Sequence, residues 1–398
     1  MAERNLDFDK IINRENTKCL KYDFKEKRGY PEDVLPLWVA DMDFKTSSYV
    51  EDAIKEAAGH NIYGYTNIRH GDGFFDAVSS WMKKHHDFDV EERWHVSTPG
   101  VVFAICTAIR ALTEPGDSVL IQQPVYYPFS NAIRSNDRKL VSSDLYRDVY
   151  GNYRIDFEDF ENKIAENNVK LFILCNPHNP VGRVWTKDEL VKIGKICADH
   201  GVCVFSDEIH FDFIWNGDHH IFQETDVSFR EFTITATSAS KTFNLAGLQQ
   251  SNIFIPDESI RRRFIHAIDA TGYDEPSMIG IAATQAAYEH GEEWYNAMRS
   301  YVEKNIDYAV KFVSDEIRGV RLIKPEGTYL IWLDFTENRI DGKELDDLII
   351  NEAKLWLDSG RIFGKTGDGF QRINTACPRS TLSEALNRIK QLDLKRHL

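Results

Sequence analysis

Ser238-Ala239-Ser240-Lys241-Thr242-Phe243-Asn244 sets two hydroxyls just before a lysine, downstream of an acidic strand end, Ser206-Asp207-Glu208-Ile209-His210. A lysine amine can condense with an aldehyde, and short hydroxyls beside it can bind a phosphate ester. Either segment alone also reads as a solvated loop, so their neighbours decide the matter. Asn176-Pro177-His178-Asn179-Pro180-Val181-Gly182 follows the apolar run Leu171-Phe172-Ile173-Leu174-Cys175, which reads as a buried parallel strand ending in a polar turn. Asp207 follows a second such run, Val202-Cys203-Val204-Phe205, and Arg372 lies late in the chain within Gly369-Phe370-Gln371-Arg372-Ile373-Asn374-Thr375-Ala376-Cys377-Pro378.

From about residue 95 to 260, short apolar or β-branched runs alternate with helical periodicity. Val119–Ile121, Leu171–Cys175, Val202–Phe205, Phe232–Thr235 and Asn252–Ile255 read as strands; Phe103–Leu112, Phe157–Ala165, Lys187–Ala198 and Glu258–Ala270 read as helices. This alternation predicts an α/β fold with a mostly parallel sheet covered by helices on both faces. Ligands of such sheets sit beyond the carboxyl ends of the strands. Asn179, Asp207 and Lys241 each follow a strand there, and Gly100-Val101-Val102 opens a helix whose first N–H groups are free for a phosphate. The stretch Glu292–Ile317 reads as a long connecting helix. Thr328–Leu333, a helix near Leu345–Ala353 and a last helix from Thr381 to Leu392 suggest a smaller α+β domain. The expected division is a large domain over 46–290 and a small domain from 1–45 and 291–398.

The 398 residues suffice for two such domains, and no run approaches the roughly 20 apolar residues that span a bilayer. Met1-Ala2-Glu3-Arg4-Asn5-Leu6-Asp7-Phe8-Asp9 lacks the apolar core of a signal peptide, so a cytoplasmic location without membrane attachment is expected. The formal charge of −15 argues against a nucleic-acid partner. Six cysteines without a Cys-x-x-Cys pair indicate neither disulfides nor zinc. Of the thirteen histidines, the pairs His85-His86 and His219-His220 lack metal-ligand spacing and are expected at the surface, with no metal site.

Taken together, the motifs resemble those of fold-type I pyridoxal phosphate (PLP) enzymes of the aminotransferase class I/II superfamily. Within it the chain is most similar to the MalY/PatB group of carbon-sulfur β-lyases, which includes cystalysin. The likeness runs from Pro36-Leu37-Trp38-Val39-Ala40-Asp41-Met42-Asp43-Phe44 to Cys377-Pro378-Arg379-Ser380 and is especially specific in Gln123-Pro124-Val125-Tyr126-Tyr127-Pro128-Phe129. It implies that Lys241 is the Schiff-base lysine and general base, that Asp207 faces the pyridine nitrogen, and that Asn179 bonds the phenolic oxygen. Tyr126 would stack on the ring, while Tyr127 would approach the substrate or else be a core tyrosine. Val101 and Val102, through their backbone N–H groups, and Ser238 and Ser240 would hold the phosphate. Tyr65 would reach the cofactor of a neighbouring subunit, which implies a homodimer, with an ordinary turn aromatic as its alternative. Arg372 would grip the substrate α-carboxylate with its planar fork of donors.

Two positions depart from the wider superfamily. Gln249 stands where transaminases often carry an arginine, eight residues after the lysine, and His210 replaces the tyrosine many of them place three residues after the aspartate. The resemblance therefore implies α,β-elimination from an L-amino acid with sulfur on its β-carbon, giving pyruvate, ammonia and a thiol. An aminotransferase on the same scaffold, or a MalY-like regulatory protein retaining the PLP site, are the alternatives.

Overall fold

The structure, a computed structural model, describes residues 2–66, 73–273 and 275–394. Its centre is a seven-stranded sheet: β1 (His95–Thr98), β2 (Ser118–Ile121), β3 (Lys139–Ser142), β4 (Val169–Cys175), β5 (Cys203–Asp207), β6 (Thr233–Thr237) and β7 (Ser251–Phe254). The order across the sheet is β1-β7-β6-β5-β4-β2-β3, and only β7 runs against its neighbours. The period-two alternation of β4 explains the burial on both sides. Leu171, Ile173 and Cys175 enter one apolar cluster with Ile105 and Phe264, while Phe172 and Leu174 enter another with Phe160 and Trp185. The expected mostly parallel α/β sheet is present.

Three features escaped the sequence reading: strands β1 and β3, and the reversal of β7. The link between β6 and β7 holds only a four-residue helix and a three-residue turn, with no crossover helix to bring the chain back parallel. That short link carries Lys241.

A second sheet is antiparallel, in the order β8-β9-β11-β10, from β8 (Arg321–Leu322), β9 (Leu330–Asp334), β10 (Asp358–Ser359) and β11 (Phe370–Asn374). The 25-residue helix Glu292–Glu316 leads into it and the helix Arg379–Lys390 packs on that helix. The N-terminal segment joins this part, since Leu35–Pro36 pairs with Leu355–Trp356 and the Phe8 ring meets Trp294 and Tyr301. We propose the division near residue 290 on this layout, although one apolar core, from Val50 and Phe74 through Phe243 to Leu330 and Leu386, runs across it. Among the described residues no helix is long and apolar enough to cross a membrane.

The surface placement expected for both histidine pairs is wrong for one member of each. The side chains of His86 and His219 are 6% and 3% exposed, and their Nε2 atoms lie 2.8 and 2.7 Å from the carboxylates of Asp212 and Glu208. Both acids sit on the loop leaving β5, which folds over the imidazoles. Among the described residues no group of three or more such side chains could hold a metal ion, and all six cysteines are free thiols.

Gly182, at the end of the Asn179 turn, has φ +73° and ties the two parts together. Its carbonyl accepts the N–H groups of Glu326 and Gly327 at 2.8 and 2.9 Å, and a Cβ here would lie 2.5 Å from that of Pro325. Gly182→Ala is therefore expected to lower stability by about 2 kcal/mol or more, read as a lower midpoint in urea at unchanged slope.

Candidate active site

The site arises from register. Cys175 is paired with Asp207 and Asp207 with Ala236, so β4, β5 and β6 end side by side and their loops emerge together. A cavity of about 450 Å³ opens there, lined by Val101, Val102, Tyr126, Asn179, Asp207, Ser240 and Lys241 together with Ala40, His210 and Gln249. Seven of the residues singled out in the sequence thus share one wall.

Each is held by a local device. Gly100, at φ +102°, turns the chain into the helix Val101–Leu112, whose first-turn N–H groups have no acceptor within the helix. Ser238 caps the short helix that carries Lys241: its hydroxyl accepts the Ser240 N–H at 3.0 Å and donates to the Gln250 carbonyl at 2.6 Å. These contacts keep Ser238 off the cavity wall, whereas Ser240 lies on it. The N–H of Tyr126 donates to the Asn179 carbonyl at 3.0 Å, which fixes the tyrosine against the Asn179 turn.

Burial sets the electrostatics. The Lys241 ammonium donates to the Ala40 carbonyl at 2.7 Å, and burial brings it down to about 8 against the opposing pull of Asp41. Burial pushes the Asp207 carboxyl up to about 7, opposed by the Ile209 N–H at 3.2 Å and by Lys241. The site therefore holds an amine that deprotonates near neutrality beside a carboxylate short of positive charge. Burial also keeps the Tyr126 and Tyr329 phenols protonated and His210 neutral.

Besides Ser238, three of the expected residues are not on this wall: Arg372, Tyr127 and Tyr65. Arg372 lies just behind it, 3% exposed: one Nη1 hydrogen goes to Asn179 Oδ1 at 2.9 Å, and Nη2 donates to the Trp38 carbonyl at 2.9 Å and to Asp358. Tyr127 is half-buried between Tyr126 and Phe363, facing a neighbouring depression with Gln123 and Gly364. Tyr65 is 99% exposed and touches nothing of its own chain's cavity.

The strap 38–44, in which the sequence reading saw the family likeness but named no site residue, reaches the cavity at Ala40. Ala40 accepts both Lys241 and the Tyr329 hydroxyl, at 2.7 and 2.9 Å. Asn374 donates to the Val39 and Asp41 carbonyls, and Asn244 to those of Met42 and Phe44. Two ion pairs lock the strap: the half-buried Arg14 with Asp41 at 2.6 Å, and the fully buried Lys21 with the buried Asp43 at 2.7 Å. Removing one partner of a buried pair such as Lys21–Asp43 typically costs about 3–5 kcal/mol. The Asp-x-Asp spacing next to apolar residues was the available signal; its distant cations were not visible in sequence.

An open α/β sheet with a lysine, an aspartate and a helix N-terminus converging at its carboxyl edge defines a cofactor-using enzyme class. The pattern of the family Aminotransferase class I and II matches residues 32–389, and the chain belongs to that family. It is 40% identical over 386 residues, 97% of this chain and 99% of its counterpart, to cystathionine beta-lyase PatB of Bacillus subtilis. Among solved structures, a PLP-bound putative aminotransferase from Clostridium difficile shares 42% identity at TM-score 0.93, covering 96% of this chain and 98% of that one. Cystalysin from Treponema denticola, which contains pyridoxal 5'-phosphate, shares 38% at TM-score 0.92, over 97% and 98%.

The raised Asp207 carboxyl yields a signed pH effect. Unfolded, it ionises near 4, as carboxylates do; folded, it keeps its proton up to about 7. The folded chain binds the extra proton in between, so stability falls as pH rises through that window and stays low above it. In the cofactor-free protein, Asp207→Asn is expected to raise unfolding free energy by about 1–3 kcal/mol at pH 8 and to change it little at pH 4, measured by chemical denaturation at both.

Proposed function

We propose that this protein is a PLP-dependent carbon-sulfur β-lyase that cleaves cystathionine, cysteine S-conjugates or a related L-amino acid into pyruvate, ammonia and a thiol. The observation that carries the reading is the single cavity joining a buried Lys241 amine, a buried Asp207 carboxylate and the N-terminus of the helix Val101–Leu112. The chemistry of these donors fits the cofactor: an amine for its aldehyde, an anion for its ring nitrogen, and N–H groups with the Ser240 hydroxyl for its phosphate. When bound, PLP supplies a sink for the electrons left on the substrate α-carbon.

The chain's own residues do the rest. Asp207 is held in a place where burial favours a cationic partner, which keeps a ring nitrogen protonated. Asn179 already gives its oxygen to Arg372, which leaves its amide N–H groups to donate to the phenolic oxygen. Tyr126 covers one face of the cavity and excludes water. Arg372 holds the substrate α-carboxylate and so points the Cα–H bond at Lys241. Lys241, with its affinity for protons lowered by burial to about 8, is neutral often enough near pH 8 to take that proton. The electron pair then expels the β-thiolate.

Elimination competes with return of the proton elsewhere, which would give transamination on the same residues, and the likeness to the Clostridium protein described as a putative aminotransferase keeps that outcome in view. Incubation with cystathionine should release pyruvate and free thiol in equal amounts, and Lys241→Ala should lose this activity by about a thousandfold or more and lose the visible absorbance of bound cofactor. A keto acid formed only when an amino acceptor is added, without thiol, would make the protein an aminotransferase.

We further propose a homodimer in which the Tyr65 hydroxyl reaches the partner's phosphate cradle, supported by its full exposure and its remoteness from its own cavity. Mixing inactive Tyr65→Ala and Lys241→Ala subunits should then restore about a quarter of the sites, since random pairing gives half heterodimers, each with one intact site. Free thiols throughout fit a reducing, cytoplasmic setting.

A further inference from the structure

Arg372 offers five N–H hydrogens, and their use can be counted. One Nη1 hydrogen goes to Asn179 Oδ1 at 2.9 Å. Both Nη2 hydrogens are taken, one by the Trp38 carbonyl at 2.9 Å and one by the Asp358 carboxylate. The Nε hydrogen is buried without a partner. A carboxylate gripped in the two-pronged geometry must use either Nη1 with Nη2 or Nε with Nη2. Both forks require Nη2, which has no hydrogen left.

The occupant of that edge is dictated by the sheet. Asp358 on β10 lies directly across from Arg372 on β11 in antiparallel register, so the two side chains leave the sheet side by side on one face. They are 7% and 3% exposed, and Phe363 covers the guanidinium with its ring centroid 4.9 Å away. Asn179 and the strap carbonyl of Trp38 orient Arg372 independently of Asp358, leaving Asp358 as the only carboxylate paired with the guanidinium among the described residues.

Resting on the reading of Arg372 as the residue that binds the α-carboxylate, we propose that Asp358 is an internal stand-in for the substrate: it occupies the Arg372 fork in the resting enzyme and must yield Nη2 when an amino-acid carboxylate arrives. Asp358 is thus a positioning residue that sets how tightly any α-amino acid is held. Burial, opposed by Arg372, raises its carboxyl from the ordinary range.

The test uses the holoenzyme and Asp358→Asn, which keeps a hydrogen-bond acceptor for Nη2 but removes the competing charge. KM for the amino-acid substrate should fall by about fivefold or more, exceeding any change in kcat, and the competitive inhibition constant of propionate should fall in parallel, since a like charge beside the site opposes a second carboxylate. The inhibition constant of propylamine, which lacks a carboxylate, should not move. Asp358→Ser should act in the same direction and serves if the asparagine variant folds poorly. A rise in both KM and the propionate constant would mean that Asp358 supports carboxylate binding, and no change in either would mean that it takes no part; both overturn the proposal. Arg372→Gln separates the underlying reading: it should weaken propionate, and if it does not, Arg372 is not the carboxylate site and the stand-in role falls with it.

Discussion

Three parallel strands ending level with one another are the constraint on which this molecule turns. Because Cys175, Asp207 and Ala236 are neighbours across the sheet, the loops bearing Asn179, Asp207 and Lys241 share one edge. The strands are buried on both faces, so that edge is a low-dielectric place in which to put an amine and a carboxylate. The same burial that makes the sheet stable lowers the amine's affinity for protons and raises the carboxyl's. Packing and reactivity have one cause here.

The strap 38–44 completes the site from the other side. Its carbonyls serve as acceptors for Lys241, Tyr329, Arg372, Asn374 and Asn244, so groups from the large sheet and from the second sheet meet on a few peptide units. The cations Arg14 and Lys21, the second of them fully buried, hold Asp41 and Asp43, which keeps those units in place. The geometry of the site therefore depends on a short run of backbone as much as on any side chain.

Much of the site wall could be read from the chain alone: Asn179, Asp207 and Lys241 follow strands, Val101 and Val102 open a helix, and Tyr126 and Ser240 lie in segments that carry the family likeness. All seven line the cavity. What escaped were pairings between distant segments. The burial of His86 and His219 depends on Asp212 and Glu208 folding back over them, and the partnership of Asp358 with Arg372 depends on strand register in the second sheet. Ala40 acts through its main-chain oxygen, which leaves no trace in residue type. The reversal of β7 was hidden because an apolar strand reads alike in either direction.

The strap has a consequence for biosynthesis. A ribosome makes residues 38–44 long before the partners that fix them, Tyr329, Arg372 and Asn374. At ordinary translation speeds of about 5–20 residues per second, the roughly 290 to 330 residues in between take some tens of seconds. The nascent protein can assemble its central sheet during that interval, but the strap beside its cavity gains these partners only after the second sheet has been made.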